Sequence, residues 1–226
     1  MSIVAPRSTC SSCGHLISWY ENIPIISYIL LKGKCSKCHS KYGYKYIFIE
    51  LITGLIALGL APNYIGVNEF IIFSFQFSVA CILLVHFVID VEHHLLLDRI
   101  NIFFLIVILP YVLYFYDPYY WITGGLIGFL GPLSITWLFY KFRGVVGLGG
   151  GDIKIFGVLG LLLGPLGILN NIFMSCLLGS VIGVVLIALK KLNKDTPFAF
   201  GPYIIVTAAI QIYFPEFFTR INFLQF

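Results

Sequence analysis

A chain of 226 residues that is 59% hydrophobic and only 11% charged, with a mean hydropathy of +0.96, lies far from the composition of a soluble globular domain. Its formal net charge of +4 is weak support for nucleic-acid binding, because in a membrane protein the meaning of Lys and Arg lies in where they fall along the chain. Composition thus excludes a soluble enzyme or nucleic-acid-binding domain and predicts an all-α polytopic membrane protein.

The first 45 residues are polar and rich in structure breakers, with Pro6, Pro24, Gly14, Gly33 and Gly43 among Arg7, Lys32, Lys34, Lys37, Lys41 and Lys45. The opening MSIVAPRSTC has no apolar run of the secretory kind, so this head is expected in the cytosol. Cys10-Ser-Ser-Cys13 and Cys35-Ser-Lys-Cys38 form two CxxC knuckles with 21 residues between them, close to the spacing of a four-cysteine zinc ribbon. Four thiolates complete a tetrahedral shell with no place for water, so the expected Zn2+ is structural. A pair of disulfides or redox motifs is the alternative, disfavoured by a reducing cytosol. His15 and His39, each just after a knuckle, are expected to be bystanders, as are Cys81 and Cys176 inside apolar runs.

Beyond Lys45 the chain changes character. Apolar runs at 46–62, 68–90, 100–116, 121–140, 153–169, 172–189 and 198–214 approach the ~20 residues that span ~30 Å of hydrocarbon, which predicts about seven transmembrane helices. Domains are expected at 1–45, a small zinc-ribbon-like cytoplasmic head, and at 46–226, a transmembrane domain. With the head inside and sides alternating, 13 of the 14 Lys and Arg residues are cytoplasmic and only Arg220 is outside, as the positive-inside rule requires. The cytoplasmic connections are then 91–99, 141–154 and 190–195, and a tight Asn170-Asn171 turn joins the fifth and sixth spans on the outer side.

This topology puts two acids at one depth. Asp90 ends the second span, in HFVIDVEHHLLLDRI, and Asp152 begins the fifth, in GLGGGDIKIFG. Two carboxylates brought together at low dielectric share a proton and titrate as a pair, the equipment of an aspartyl protease. Gly147, Gly149, Gly150 and Gly151 are expected to let an extended substrate and a neighbouring helix approach Asp152. The bland reading is that both acids merely cap helix ends and that the glycines pack helices. His93 and His94 are expected to do nothing chemical.

The residues at this point resemble the type IV prepilin peptidases, membrane aspartyl proteases. The resemblance runs from RSTCSSCGHLISWYENIPIISYILLKGKCSKCHSKYGYKYIFIEL through IDVEHHLLLD and GLGGGDIK to FGPYIIVTAAI. It implies cleavage of a short basic leader from type IV prepilins or type II secretion pseudopilins at the cytoplasmic face of the bacterial inner membrane. It also implies N-methylation of the new terminus from S-adenosylmethionine where that activity is retained. Carried over by motif, Asp90 and Asp152 are the catalytic pair, Cys10, Cys13, Cys35 and Cys38 the metal ligands, and Gly149 and Gly151 part of the glycine motif. Glu50, in YIFIEL, falls near the methylation or substrate site, and Asp98 has a supporting role. Two departures stand out. Leu97 occupies a position usually held by proline, which predicts a less sharp entry into the third span. No further span precedes the zinc head, which leaves either a truncated start or a shorter member. The rivals are an ion- or proton-coupled transporter, which calls for mid-span charges, and a non-catalytic assembly factor with a zinc head, which would survive loss of either aspartate.

Overall fold

The structure, a computed structural model, describes residues 8–64, 66–145, 147–190 and 199–216. Arg7, Arg220 and all but the first residue of the expected 190–195 connection lie outside the described residues. Among the described residues every regular element is helical, with only two isolated bridges, Thr9–Leu16 and Lys34–Lys41. A 3-10 turn at Trp19–Asn22 is followed by α1 (Ile26–Leu30), α2 (Tyr44–Leu60), α3 (Val67–His93), α4 (Asp98–Phe115), α5 (Pro118–Arg143), α6 (Gly150–Ala188) and α7 (Gly201–Tyr213). Helices α3, α4, α5 and α6 are long and apolar enough to cross a membrane, and α7 is a shorter apolar helix. The chain divides into two compact units, Met1–Glu69 and Phe70–Phe226.

In the second unit the helix boundaries follow local chemistry. Asp117 caps α5, accepting the Tyr119 N–H at 2.8 Å, with Pro118 in the first turn where its missing N–H costs nothing. Gly144, at φ 70°, closes the same helix in the left-handed conformation. His94 closes α3 in the same way at φ 53°, donating its N–H to Asp90 O at 2.9 Å.

α6 is not one rod. Gly164, at φ 70° and ψ −176°, breaks it, and Pro165 follows. Residues on both sides of the break meet the same partners. Phe156 O and Ile168 Cγ1 both approach Gly128 of α5, and Phe156 and Gly179 both reach Phe200. The chain therefore doubles back at Gly164, and the two arms, 150–163 and 165–188, run alongside each other. This corrects the expected turn at Asn170-Asn171. Both residues are helical and buried, and Asn171 Nδ2 donates to Gln211 Oε1 at 2.9 Å. Adjacent polar residues mimic a turn in sequence, whereas the real breaker is the Gly-Pro step before them.

The core is built from one face of each helix: Val79, Ile82 and Leu83 of α3, Phe104, Ile108 and Val112 of α4, Ile155, Phe156 and Leu159 of α6, and Ile204, Ile205 and Ala208 of α7. α5 meets the first arm of α6 along a glycine seam. A Cβ at Gly124 would strike the Gly160 carbonyl and one at Gly160 the Gly124 carbonyl, so the two backbones touch. Tyr120 Oη donates to Leu163 O at 2.7 Å and pins the turn.

Candidate active site and metal centre

The two cysteine knuckles of the first unit are built alike. Cys10 N–H donates to His15 O at 2.8 Å and Gly14 N–H to Cys10 O at 2.9 Å. In the second knuckle, Cys35 N–H donates to Ser40 O at 2.9 Å and His39 N–H to Cys35 O at 3.0 Å. Gly14 (φ 69°) and His39 (φ 56°) take the left-handed turn at matching positions, so His39 serves the knuckle through its backbone. The Sγ atoms of Cys10, Cys13, Cys35 and Cys38 lie within 4.8 Å of one another, and no histidine joins them among the described residues. Tetrahedral bonds of ~2.3 Å to zinc give sulfur–sulfur edges of about 3.8 Å. Cys10 Sγ and Cys38 Sγ are 3.8 Å apart, and all four thiols are free of disulfides, so the donor set fits a metal. The Ser12 and Cys13 N–H groups and the Ser40 hydroxyl hold the Cys10 thiol down at about 5. Cys13 goes the other way, to about 11. The His15 N–H favours its thiolate, but loss of water and the other three sulfurs outweigh it.

Glu50, on α2, lines a cleft of about 540 Å3 in this unit together with Glu21, Lys41, Tyr28, Tyr42 and Tyr46. Its Oε2 accepts the Ile25 N–H at 2.9 Å. Ile25, at φ 63° and ψ −51°, is the centre of a γ-turn whose Ile26 N–H donates to Pro24 O at 2.6 Å. A β-branched residue is costly in that conformation, so the Glu50 carboxylate anchors a strained entry to α1.

In the second unit three helix ends meet. Asp90, at the end of α3, is 4% exposed, and Asp152, in the first turn of α6, is close enough for the two charges to act on each other. Asp152 faces back to the N–H of Gly149, the residue that caps α6, which is one half of a capping box. Gly201, the first residue of α7, turns its N–H to Asp90 and leaves no room for a side chain. A Cβ there would lie 2.5 Å from Asp90 Oδ2. Gly151 gives space to a protein neighbour, since its Cβ would lie 2.8 Å from Leu96 Cβ in the loop between α3 and α4. Gly150 stands in open space. Leu97 caps α4 at φ −75° and ψ 126°, a proline-like conformation, and the helix starts directly at Asp98. The break is sharp without proline, contrary to the expectation. Asp98 is engaged by Lys154 of α6, whose Nζ lies 2.7 and 2.8 Å from its two carboxylate oxygens.

The sequence reading assigned no role to Gly201, Leu96 or Asn101, and marked His86 only as the nearest thing to a buried titratable group, a histidine inside an apolar run. Gly201 also had a local signal, a glycine between Phe200 and Pro202 at the head of the last apolar run.

Comparisons agree with this architecture. Residues 1–64 match the model of the bacterial peptidase A24 N-terminal domain and residues 77–184 that of the type IV leader peptidase family. The chain is 32% identical over 233 residues to a prepilin leader peptidase/N-methyltransferase of Pseudomonas aeruginosa, covering 100% of this chain and 77% of that protein. It is 31% identical to a protein of the same name from Burkholderia pseudomallei, covering 94% and 69%, and 30% identical to one from Dichelobacter nodosus, covering 91% and 70%. No solved structure matches the chain. With two family models in register and similarity along its whole length, the chain belongs to the type IV leader peptidase family.

Proposed function

We propose that this protein is a membrane aspartic endopeptidase that removes the leader peptide of type IV prepilins, with Asp90 and Asp152 as the catalytic pair. The observation that carries the assignment of residues is the meeting of a buried Asp90 with Asp152 where α3 ends and α6 and α7 begin. One carboxylate, ionised, takes a proton from water as its oxygen attacks the peptide carbonyl. The other, protonated, gives its proton to the leaving amine. Gly149 holds Asp152 through the cap, and Gly151 and Gly201 give the loop at Leu96 and the Asp90 carboxylate their space.

The reading extends to an integral protein of the bacterial inner membrane crossing it seven times, the two arms of α6 counting separately, with residues 1–45 and the active site on the cytoplasmic side. Pseudopilins are cleaved by the same chemistry. Membrane lipid is a partner of the head as well. α1 turns Ile26, Ile29 and Leu30 outward and Ser27, Tyr28 and Leu31 toward the cleft, and Lys32, Lys34 and Lys37 follow. Nucleic acid has no part in it. Cys10, Cys13, Cys35 and Cys38 would hold a structural Zn2+, which ties the two knuckles together. The cleft at Glu50 suits S-adenosylmethionine, because Glu21 and Glu50 bring carboxylates for its sulfonium and ammonium and Tyr28, Tyr42 and Tyr46 bring aromatic rings. When bound, it supplies the methyl group for the new N-terminal amine.

The test is the intact mass of a cognate prepilin co-expressed with the protein, its Asp152→Asn variant or its Glu50→Gln variant. The parent removes the leader and adds one methyl group, Asp152→Asn does neither, and Glu50→Gln removes the leader without methylating. Equal processing by the parent and Asp152→Asn would refute the aspartyl mechanism.

A further inference from the structure

His86 is the one fully buried imidazole among the described residues, and the chemistry above does not use it. It lies on the buried face of α3 one turn before Asp90, at 0% exposure. Its Nδ1 is 3.0 Å from Ile82 O, and its Nε2 is 3.0 Å from Oδ1 of Asn101 on α4. A backbone carbonyl only accepts, so Nδ1 carries a proton. With Asn101 Oδ1 as the other partner, Nε2 would also donate, and the ring would be an imidazolium. Turning the Asn101 amide over would instead present Nδ2–H to a bare Nε2 and suit the neutral ring.

The amide can thus serve both proton states, and in each it leaves one atom over. As it stands, Asn101 Nδ2 is buried without a partner. An orphan of that kind is expensive in a pair that only packs. A second orphan lies one turn along the helix, Asp90 Oδ2. The charged or polar groups facing Asp90 are His86 and His94 from α3, Asp152 from α6 and the Gly201 N–H from α7. His86 itself faces Asp90, Asn101 and the Phe104 ring. Of these, His86 is the group able to present a fully buried positive charge to the aspartate pair, and a buried carboxylate left without a counter-charge is costly.

We infer that His86 is a positioning residue for Asp90, an imidazolium one helical turn away that balances the negative charge of the aspartate pair, with Asn101 as the reversible partner that lets the ring gain or lose its proton. The inference rests on the peptidase reading of Asp90 and Asp152. Its test is prepilin cleavage by the full chain in lipid vesicles. His86→Gln keeps a side chain able to hydrogen-bond to Ile82 O and Asn101 but removes the charge. The expected result is a kcat lowered about tenfold or more, with KM within about twofold and an unchanged melting temperature. Wild-type kcat in His86→Gln overturns the inference and leaves the peptidase reading intact, whereas no cleavage by the parent overturns that reading itself. A second measurement needs no variant: in 15N-histidine-labelled enzyme at its pH of maximal activity, both His86 ring nitrogens should carry protons. A bare nitrogen there overturns the inference.

Discussion

Gly201→Ala isolates the geometry of the active site from the stability of the fold. Gly201 opens α7 with φ outside the left-handed region, so alanine meets no backbone strain and is a better helix former than glycine by up to ~1 kcal/mol. The added methyl would sit 2.5 Å from Asp90 Oδ2, 2.9 Å from Asp90 Cγ and 3.2 Å from Leu96 Cδ1, where ordinary contact begins at 3.4 Å. Relief requires the carboxylate to recede by about 0.9 Å, the difference between 3.4 and 2.5 Å. Misplacement of a catalytic group by ~1 Å costs ~100-fold in rate, while the overpacking itself costs ~1–3 kcal/mol, a few degrees of melting temperature. Cleavage of a prepilin by purified enzyme in vesicles, with a thermal melt of the same sample, separates the two. The expected result is kcat/KM down by about two orders of magnitude in a protein that still melts cooperatively. Activity within about threefold of the parent would refute the view that Asp90 is held where it works.

Other substitutions test other levels of the structure. Gly160→Val drives a branched side chain into the Gly124 carbonyl across the seam between α5 and α6, and should cost about 3 kcal/mol or more, read as a lowered melting temperature in detergent. Zinc analysis should find one metal per chain, lost in Cys35→Ser together with resistance of the head to proteolysis. Loading the stripped protein at neutral pH should release a proton from Cys13, whose thiol is pushed up to about 11, and little from Cys10, held down at about 5. Leu97→Pro fits φ −75° and should stabilise by about 0.5 kcal/mol through the unfolded chain, and a loss of more than about 1 kcal/mol would contradict the geometry at that cap.

What the sequence made legible was local. Two CxxC knuckles mark a four-cysteine cluster by spacing alone, and Gly14 announces the turn that His39 repeats without a glycine. Asp90 and Asp152 were visible because hydropathy marks where helices end, and an acid at such an end stands out against an apolar background. The break in α6 was misplaced by six residues because a pair of asparagines resembles a turn, while Asn171 in fact lies inside the bundle, where its Nδ2 donates to Gln211 Oε1. The contacts that Gly201, Leu96 and the His86–Asn101 pair make depend on which helices meet, so no periodicity or spacing in one segment reveals those contacts. Glu50 was singled out by motif, but its bond to the strained Ile25 is a tertiary fact.

The most direct test of the account is leader cleavage by the purified, reconstituted protein compared with Asp90→Asn and Asp152→Asn, each of which replaces a carboxylate by a neutral group of the same shape. If the two aspartates act as one unit, either substitution alone should lower kcat by about three orders of magnitude, and the double variant should be hardly worse than the singles. Retention of activity within about tenfold by either single variant would contradict the claim that this pair performs the cleavage.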